Sequence, residues 1–215
     1  MTVSAEHSTD LRRLIETRLA GSLPGGDPAL ALTAGMSPEQ SAAIRNNLPR
    51  EFARAAVLIA LVDRPDGLTV LLTQRASHLT NHGGQISFPG GRIEPADAGP
   101  LAAALRETRE EIGLDPAKVT LAGYLHDHLV ITGFLVTPVV GFVARDFDLR
   151  LDRKEVEEAF EVPLAFVLDK ANHRPRARTF AGVTFEAYDI PFGERNIWGA
   201  TAGMLVSIGR LLEDV

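Results

Sequence analysis

No cysteine occurs among the 215 residues, so neither a disulfide framework nor a thiol nucleophile is available. That absence fits a reducing compartment, and a cytoplasmic location is the expectation. The first thirteen residues, MTVSAEHSTDLRR, hold no apolar core of the kind a signal peptide needs. No apolar run reaches the ~18–20 residues of a membrane span, so no membrane association is expected. Peroxisomal and lipidation signals are missing from the closing Leu-Leu-Glu-Asp-Val. Basic excess is missing too: the net charge is −6, which argues against a general nucleic-acid binder. Internal repeats and low-complexity segments are absent. What remains is ordinary for a globular protein, with 45% hydrophobic and 23% charged residues. The length suits one well-buried domain with a small extra segment.

Residues 1–50 read as an N-terminal helical extension. Leu11, Leu14, Ile15 and Leu19 fall on one side of a helix over Asp10–Leu19. A Gly/Pro-rich break over residues 21–28 follows, and then Ser37-Pro38-Glu39-Gln40, a capping box with Pro at the first helical position. Residues 51–215 read as the main domain. Ala55–Val62 is a continuous apolar run, expected as a strand buried on both faces, and it pairs as a hairpin with Leu68–Gln74 across the turn at residues 63–67. Val119–Leu125 and Phe134–Val143 are strand-like, with Pro138 predicting an edge or bulge in the second. Glu155–Phe160 and Pro163–Leu168 read as short helical pieces, and Thr179–Ile190 as strand-rich. The last helix is expected from about Asn196 to Leu212. Strands early and late with helices among them indicate an α+β fold, an α/β/α sandwich.

The chemistry concentrates in Gly90–Leu114, GGRIEPADAGPLAAALRETREEIGL. Asp97, Gly99 and Pro100 mark the start of a helix and Gly113 its end. At about 100° per residue, Leu101, Leu105, Thr108 and Ile112 share one side, and Glu107, Glu110 and Glu111 share another. Carboxylates three and four residues apart repel one another, and Arg106 relieves only part of that. A divalent cation is the physical remedy, because carboxylate oxygens are the hard ligands that Mg²⁺ or Mn²⁺ takes.

This stretch resembles the Nudix box, G-x5-E-x7-R-E-U-x-E-E-x-G-U with U aliphatic. Gly91 and Asp97 have the first spacing, and the run from Arg106 to Leu114 supplies the rest. Asp97 stands for the first Glu, one extra residue separates it from Arg106, and Thr108 stands for an aliphatic. The first two departures are expected to weaken the pairing of that acid with the Arg. The resemblance implies a Nudix fold, a mixed β-sheet with a catalytic loop-helix-loop. It implies a metal-dependent hydrolase whose Mg²⁺ or Mn²⁺ is held by Glu107, Glu110 and Glu111, with the Gly91 carbonyl as a further ligand.

The loop before the box narrows the resemblance. Leu71-Leu72-Thr73-Gln74-Arg75-Ala76-Ser77, running on to Gly84-Gln85-Ile86-Ser87-Phe88-Pro89-Gly90-Gly91, is similar to the coenzyme A pyrophosphatase branch, L-L-T-x-R-S … G-x3-F-P-G-G. Thr132-Gly133-Phe134, Glu155-Val156, Phe160-Glu161-Val162-Pro163-Leu164 and Trp198-Gly199 agree with it, so the likeness covers roughly residues 50–212. The branch's Ser is Ala76 here, and its loop Arg is Thr80; His82 or Arg92 could substitute in phosphate contact. Arg75 and the Gly90-Gly91 turn are the other substrate-binding candidates.

The resemblance implies cleavage of the pyrophosphate of coenzyme A, or of its acyl or oxidised forms, to 4′-phosphopantetheine and adenosine 3′,5′-bisphosphate. The partner is then a small-molecule diphosphate, and a homodimer is admitted. The same chemistry on ADP-ribose, a dinucleotide or a nucleoside triphosphate is the first alternative, and a Nudix-fold binding module without turnover the second. Glu155 is the candidate general base, with Glu158 behind it. His78, His82, His126 and His128 read as loop histidines, and Phe88, Trp198 and the last helix as core.

Overall fold

Alternation of small and branched apolar residues builds the centre of the molecule. In the computed structural model, residues 2–27, 29–33, 36–48, 51–80, 82–130 and 133–213 are described. The chain runs α1 (Thr2–Leu19), α2 (Leu30–Thr33), α3 (Pro38–Asn46), β1 (Ala53–Arg64), β2 (Gly67–Arg75), β3 (Ile86–Ser87), β4 (Gly90–Arg92) and α4 (Pro100–Ile112). It continues through β5 (Val119–Tyr124), β6 (His128–Val130), β7 (Phe134–Val143), β8 (Val156–Pro163), α5 (Leu164–Leu168), β9 (Arg174–Phe180), β10 (Val183–Phe192), β11 (Arg195–Ile197) and α6 (Gly199–Glu213).

The main sheet follows the order β3-β2-β1-β7-β5, with β4, β6 and β8 pairing onto β1, β7 and β2. β1 and β2 form the expected antiparallel hairpin, while β1 and β7 pair in parallel from Ala53↔Phe134 to Val62↔Val143. This is an α+β arrangement with a mixed sheet. β1 is buried on both faces, as its apolar run predicts. Ala55, Ile59 and Leu61 enter one core with α1 and α6, and Ala56, Leu58, Ala60 and Val62 enter another with α4. A second sheet, β11-β10-β9, stands beside the first. No helix among the described residues is long and apolar enough to cross a membrane.

Several sequence expectations need correction. Glu155–Phe160 is not helical: from Val156 the segment is β8, hydrogen-bonded antiparallel to β2, and sheet pairing overrides the helix propensity of its Glu and Ala residues. Pro138 does not mark an edge. It sits in the interior strand β7, at the point where partner β5 gives way to β6, and its carbonyl accepts from the Leu125 N–H at 3.1 Å. The register shift lies in β5 instead, between Leu121 and Gly123. The last helix starts at Gly199, because Asn196 and Ile197 belong to β11. Thr132 of the motif before β7 lies outside the described residues.

The extension packs on the core rather than standing off it. Ile15 is 1% exposed and joins the cluster with Ile59 and Leu205. The Arg12 guanidinium lies 4.2 Å from the Phe142 ring centroid, and the Ser22 hydroxyl accepts from the Tyr124 N–H at 2.8 Å. The capping box at Ser37 and Gln40 is formed in both directions. Truncating Ile15→Ala is expected to cost about 2–4 kcal/mol, read as a lower urea midpoint with an unchanged m-value.

Candidate functional site

The acidic helix buries its alanines more fully than its leucines. The residues of α4 that are buried are Ala103, Ala104, Thr108, Glu111 and Ile112, while Leu101 and Leu105 are only half-buried. Ala103 and Ala104 of the helix share one core cluster with Ala56 and Ala60 of β1, beside the larger Leu58, Val62 and Ile112. Thr108, in the box's aliphatic place, is accepted in the core because its hydroxyl donates to the Ala104 carbonyl at 2.6 Å. The N-cap is Gly99, without a side-chain cap, and not Asp97. Gly113 ends the helix in the left-handed region, as expected.

That seating carries Glu111 into the buried seam beside the Gly90-Gly91 turn. Glu111 is 5% exposed, and one carboxylate oxygen accepts from the Gly90 N–H at 3.0 Å. The other lies 3.8 Å from an Arg75 Nη. Burial pushes its pKa up to about 7, against the pull of Gly90 and Arg75, and the charges of Glu107 and Glu155 push the same way. Glu107 is also raised, chiefly by burial, with Glu110 and Glu155 adding and Arg106 opposing. Glu107 presses on the turn so closely that a Cβ on Gly91 would stand 2.4 Å from its carboxyl carbon. Glu110 points outward, its side chain 59% exposed.

Arg106 organises the acids. It takes Asp97 bidentately at 3.0 and 2.9 Å, and reaches Glu107 at 3.0 Å, Glu110 at 3.2 Å and the Arg92 carbonyl at 3.1 Å. The expectation that the Asp and the inserted residue weaken this pairing is therefore wrong. Asp97 stands on a turn, accepting also from the Glu94 N–H at 2.8 Å, and the turn absorbs both the shorter side chain and the extra residue.

Glu155 is brought to the same place. Its carbonyl accepts from the Ala76 N–H at 2.8 Å, its side chain is exposed, and its charge acts on both Glu107 and Glu111. Glu158 is engaged with Arg195 at 2.5 and 3.2 Å. Arg92 is exposed, its guanidinium 5.3 Å from the Phe134 ring centroid, and His82 is exposed and bonded to Gln85 at 2.9 Å. Among the described residues no three acidic or histidine side chains already converge as a metal-holding group. Arg106 holds Glu107 and Glu110 to one side, while Gly90 and Arg75 hold Glu111 to another.

The donor chemistry nevertheless fits a divalent cation. Two desolvated carboxylates with raised pKa values face a glycine turn, with a third acid in their field, which is a set of hard oxygen donors short of positive charge. The linkage has a definite sign. Because the folded pKa of Glu111 is raised, its contribution to stability is full below about 4.5 and is lost as pH rises through about 7. Metal-free Glu111→Gln protein should therefore match the wild type near pH 4 and gain on it up to about pH 7.5, by about 3 kcal/mol at most, in paired thermal melts.

A cavity of about 630 Å³ opens beside this site. Arg75, Gly90, Phe88, Arg178, Trp198 and Arg210 are among the residues that line it, and Val136, Leu129 and Met204 add apolar surface. Phe88 is core, as expected. Trp198 is not: it is 41% exposed, and its ring faces the cavity beneath the Arg178 guanidinium at 5.9 Å. His128 is packed against Gly203 on the cavity wall, and burial lowers its pKa to about 4, so it is neutral. Arg178 was missed in the sequence; the alternation of Arg174, Arg176 and Arg178 along one strand was the available signal.

The Nudix domain model matches residues 52–181. The chain is similar to an uncharacterized Nudix hydrolase, NudL, from Shigella flexneri serotype 5b, at 40% identity over 161 residues, spanning 74% of this chain and 83% of the relative. NudL of Escherichia coli strain K12, likewise uncharacterized, is 41% identical over 153 residues, spanning 71% and 79%. Among solved structures, a MutT/nudix family protein from Enterococcus faecalis superposes with a TM-score of 0.50 at 15% identity, covering 84% of this chain and 71% of that one. That family is typically dependent on a divalent metal and acts on small-molecule diphosphates. By its matched domain and these relatives, the chain belongs to the Nudix hydrolases.

Proposed function

We propose that the protein hydrolyses the pyrophosphate of coenzyme A, or of its acyl or oxidised forms, to 4′-phosphopantetheine (or its derivative) and adenosine 3′,5′-bisphosphate. The observation that carries this reading is the cavity beside the glutamate site, lined by Arg75 and Gly90, the two groups that hold Glu111. A substrate with two long organic arms on a diphosphate needs room beside the scissile bond, and here that room is lined by apolar side chains together with Arg75, Arg178 and Arg210. The loop and box motifs support the same choice. Residues 51–215 would form the catalytic domain, with residues 1–50 bracing it.

Glu107, Glu111 and Glu110 would hold Mg²⁺ or Mn²⁺, together with the Gly91 carbonyl. When bound, the ion neutralises the diphosphate, orients the P–O–P bond and lowers the pKa of a coordinated water. The chain supplies the rest. The Gly90 N–H fixes the Glu111 carboxylate, and Arg106 fixes Glu107. Arg75, whose buried Nε has no hydrogen-bond partner, would take a diphosphate oxygen. Glu155, exposed and facing the same field, takes a proton from the attacking water at its carboxylate. Water adds across the anhydride: one P–O bond forms, one breaks, and two phosphate monoesters leave.

A metal-dependent assay of coenzyme A against ADP-ribose tests the substrate. A higher kcat/KM on coenzyme A is expected. Preference for ADP-ribose would favour the second reading, a hydrolase of another nucleoside diphosphate derivative, for which Thr80 in the place of the branch's loop Arg already speaks.

A further inference from the structure

The His128 ring is fixed by its surroundings, yet its nitrogens have no hydrogen-bond partner among the described residues. His128 opens β6, where it pairs with Val136 of β7. The preceding Asp127 is anchored twice: its N–H donates to the Gly25 carbonyl at 2.9 Å, and its buried carboxylate accepts from the Thr137 hydroxyl at 2.7 Å. The ring lies against Gly203 of α6, where a Cβ would stand 2.7 Å from its Cε1. Glycine is unfavourable inside a helix, and here its lack of a side chain admits the ring. A histidine kept for packing satisfies itself on the protein, as His173 does on the Val167 carbonyl at 2.7 Å. His128 instead lines the cavity that Arg75 and Gly90 also line. Among the described residues the Arg75 Nε is the one buried side-chain polar atom without a partner. The His128 nitrogens are therefore not sealed in the core, and they open on the cavity. Burial keeps the ring neutral, its pKa lowered to about 4, so it offers one donor and one acceptor. The wall around it is aliphatic. Leu129 and Val130 follow it on β6, Val136 lies opposite, Met204 follows Gly203, and all four line the cavity. Such a wall suits a saturated chain broken by a polar group. It suits a phosphate less, because the ring carries no charge, and a purine less, because none of the four is a flat ring.

We infer that His128 is a specificity-determining residue that hydrogen-bonds an uncharged amide on the non-nucleoside arm of the substrate. This rests on the coenzyme A reading, in which the pantetheine arm carries amides among its methylene groups. A secondary amide presents one N–H and one carbonyl, the complement of what the neutral ring offers. A site built to hydrogen-bond its ligand rejects one that leaves it unpaired, so the ring selects as well as binds.

Titration calorimetry with 4′-phosphopantetheine and with adenosine 3′,5′-bisphosphate, in the presence of Mn²⁺, tests this without turnover. His128→Phe keeps a flat ring and removes both nitrogens. It should weaken 4′-phosphopantetheine about tenfold more than the bisphosphate, the worth of one hydrogen bond lost at a desolvated site. His128→Leu makes the same comparison should the larger Phe ring unfold the protein. His128→Gln, which restores a donor and an acceptor, should recover part of the loss; no recovery assigns the loss to packing and overturns the inference. Equal losses on the two ligands overturn it, and a greater loss on the bisphosphate does so by setting the ring against the base. Wild-type protein that binds no 4′-phosphopantetheine overturns it as well, and turnover of coenzyme A by that protein would leave the substrate reading in place. Binding of 4′-phosphopantetheine that depends on His128, without hydrolysis of coenzyme A, supports the contact and fails only the substrate reading.

Discussion

Hydrolysis is expected to fall on the order of a thousandfold when Glu107 or Glu111 is replaced by Gln, a loss of about 4 kcal/mol of transition-state stabilisation. The fold should survive both changes. Gln keeps the volume, and its amide oxygen can still accept from the Gly90 N–H that Glu111 now uses. Stability should even rise for Glu111→Gln without metal, because a desolvated charge has been removed. Activity and stability then move in opposite directions, which is the signature of a carboxylate kept for its charge. Addition of Mn²⁺ should raise the melting temperature of the wild type and have little effect on Glu111→Gln. Circular dichroism melts beside a phosphate-release assay measure both quantities on the same samples.

Two adjacent glycines should respond in opposite ways to the same added methyl group. At Gly90 the backbone has φ of 148°, and a Cβ would lie 2.3 Å from the Ala56 carbonyl oxygen and 2.6 Å from the Val57 Cα. Both are backbone atoms of β1 and cannot step aside. Gly90→Ala is expected to destabilise by about 3 kcal/mol or more, through strain added to overpacking. At Gly91 the obstacle is the Glu107 carboxyl group, the far end of a flexible side chain. Gly91→Ala should therefore fold nearly as well as the wild type while displacing Glu107, and lose about a hundredfold in activity, since a 1 Å misplacement can cost that much. Denaturant midpoints against kcat separate the two variants. Comparable stability losses in both would mean that Glu107 is not pressed on the turn.

The legible parts of the chain were those whose physics is local. The run Ala55–Val62 shows no alternation because both faces of β1 are covered, and that is visible in a single stretch of sequence. The capping box at Ser37 and the left-handed Gly113 are likewise set by a few neighbouring residues. Spacing put Glu107, Glu110 and Glu111 on one side of the helix, yet Glu110 turns outward while Glu111 is buried. The errors arose where distant partners decide. β8 has a helix-forming composition, yet β2 offers it a row of hydrogen-bonding groups that no local pattern reveals. Pro138 is tolerated inside the sheet because its neighbours β5 and β6 part there, a consequence of topology. Asp97 keeps Arg106 because a turn, not the helix, presents it. Trp198 faces the cavity rather than the core because a second sheet places Arg178 above it. The orientation of α4 on its alanines was also hidden, since Leu101 and Leu105 carry the stronger hydrophobic signal while Ala103 and Ala104 make the closer contact.

The measurement closest to the centre of this account is an anomalous difference map from crystals soaked in Mn²⁺ with adenosine 3′,5′-bisphosphate. The account predicts a peak against Glu107, Glu111 and the Gly91 carbonyl, with oxygens at about 2.0–2.2 Å and Glu107 drawn away from Arg106. A fully soaked crystal with no peak there, and with Glu107 still on Arg106 and Glu111 still on Gly90, would contradict it.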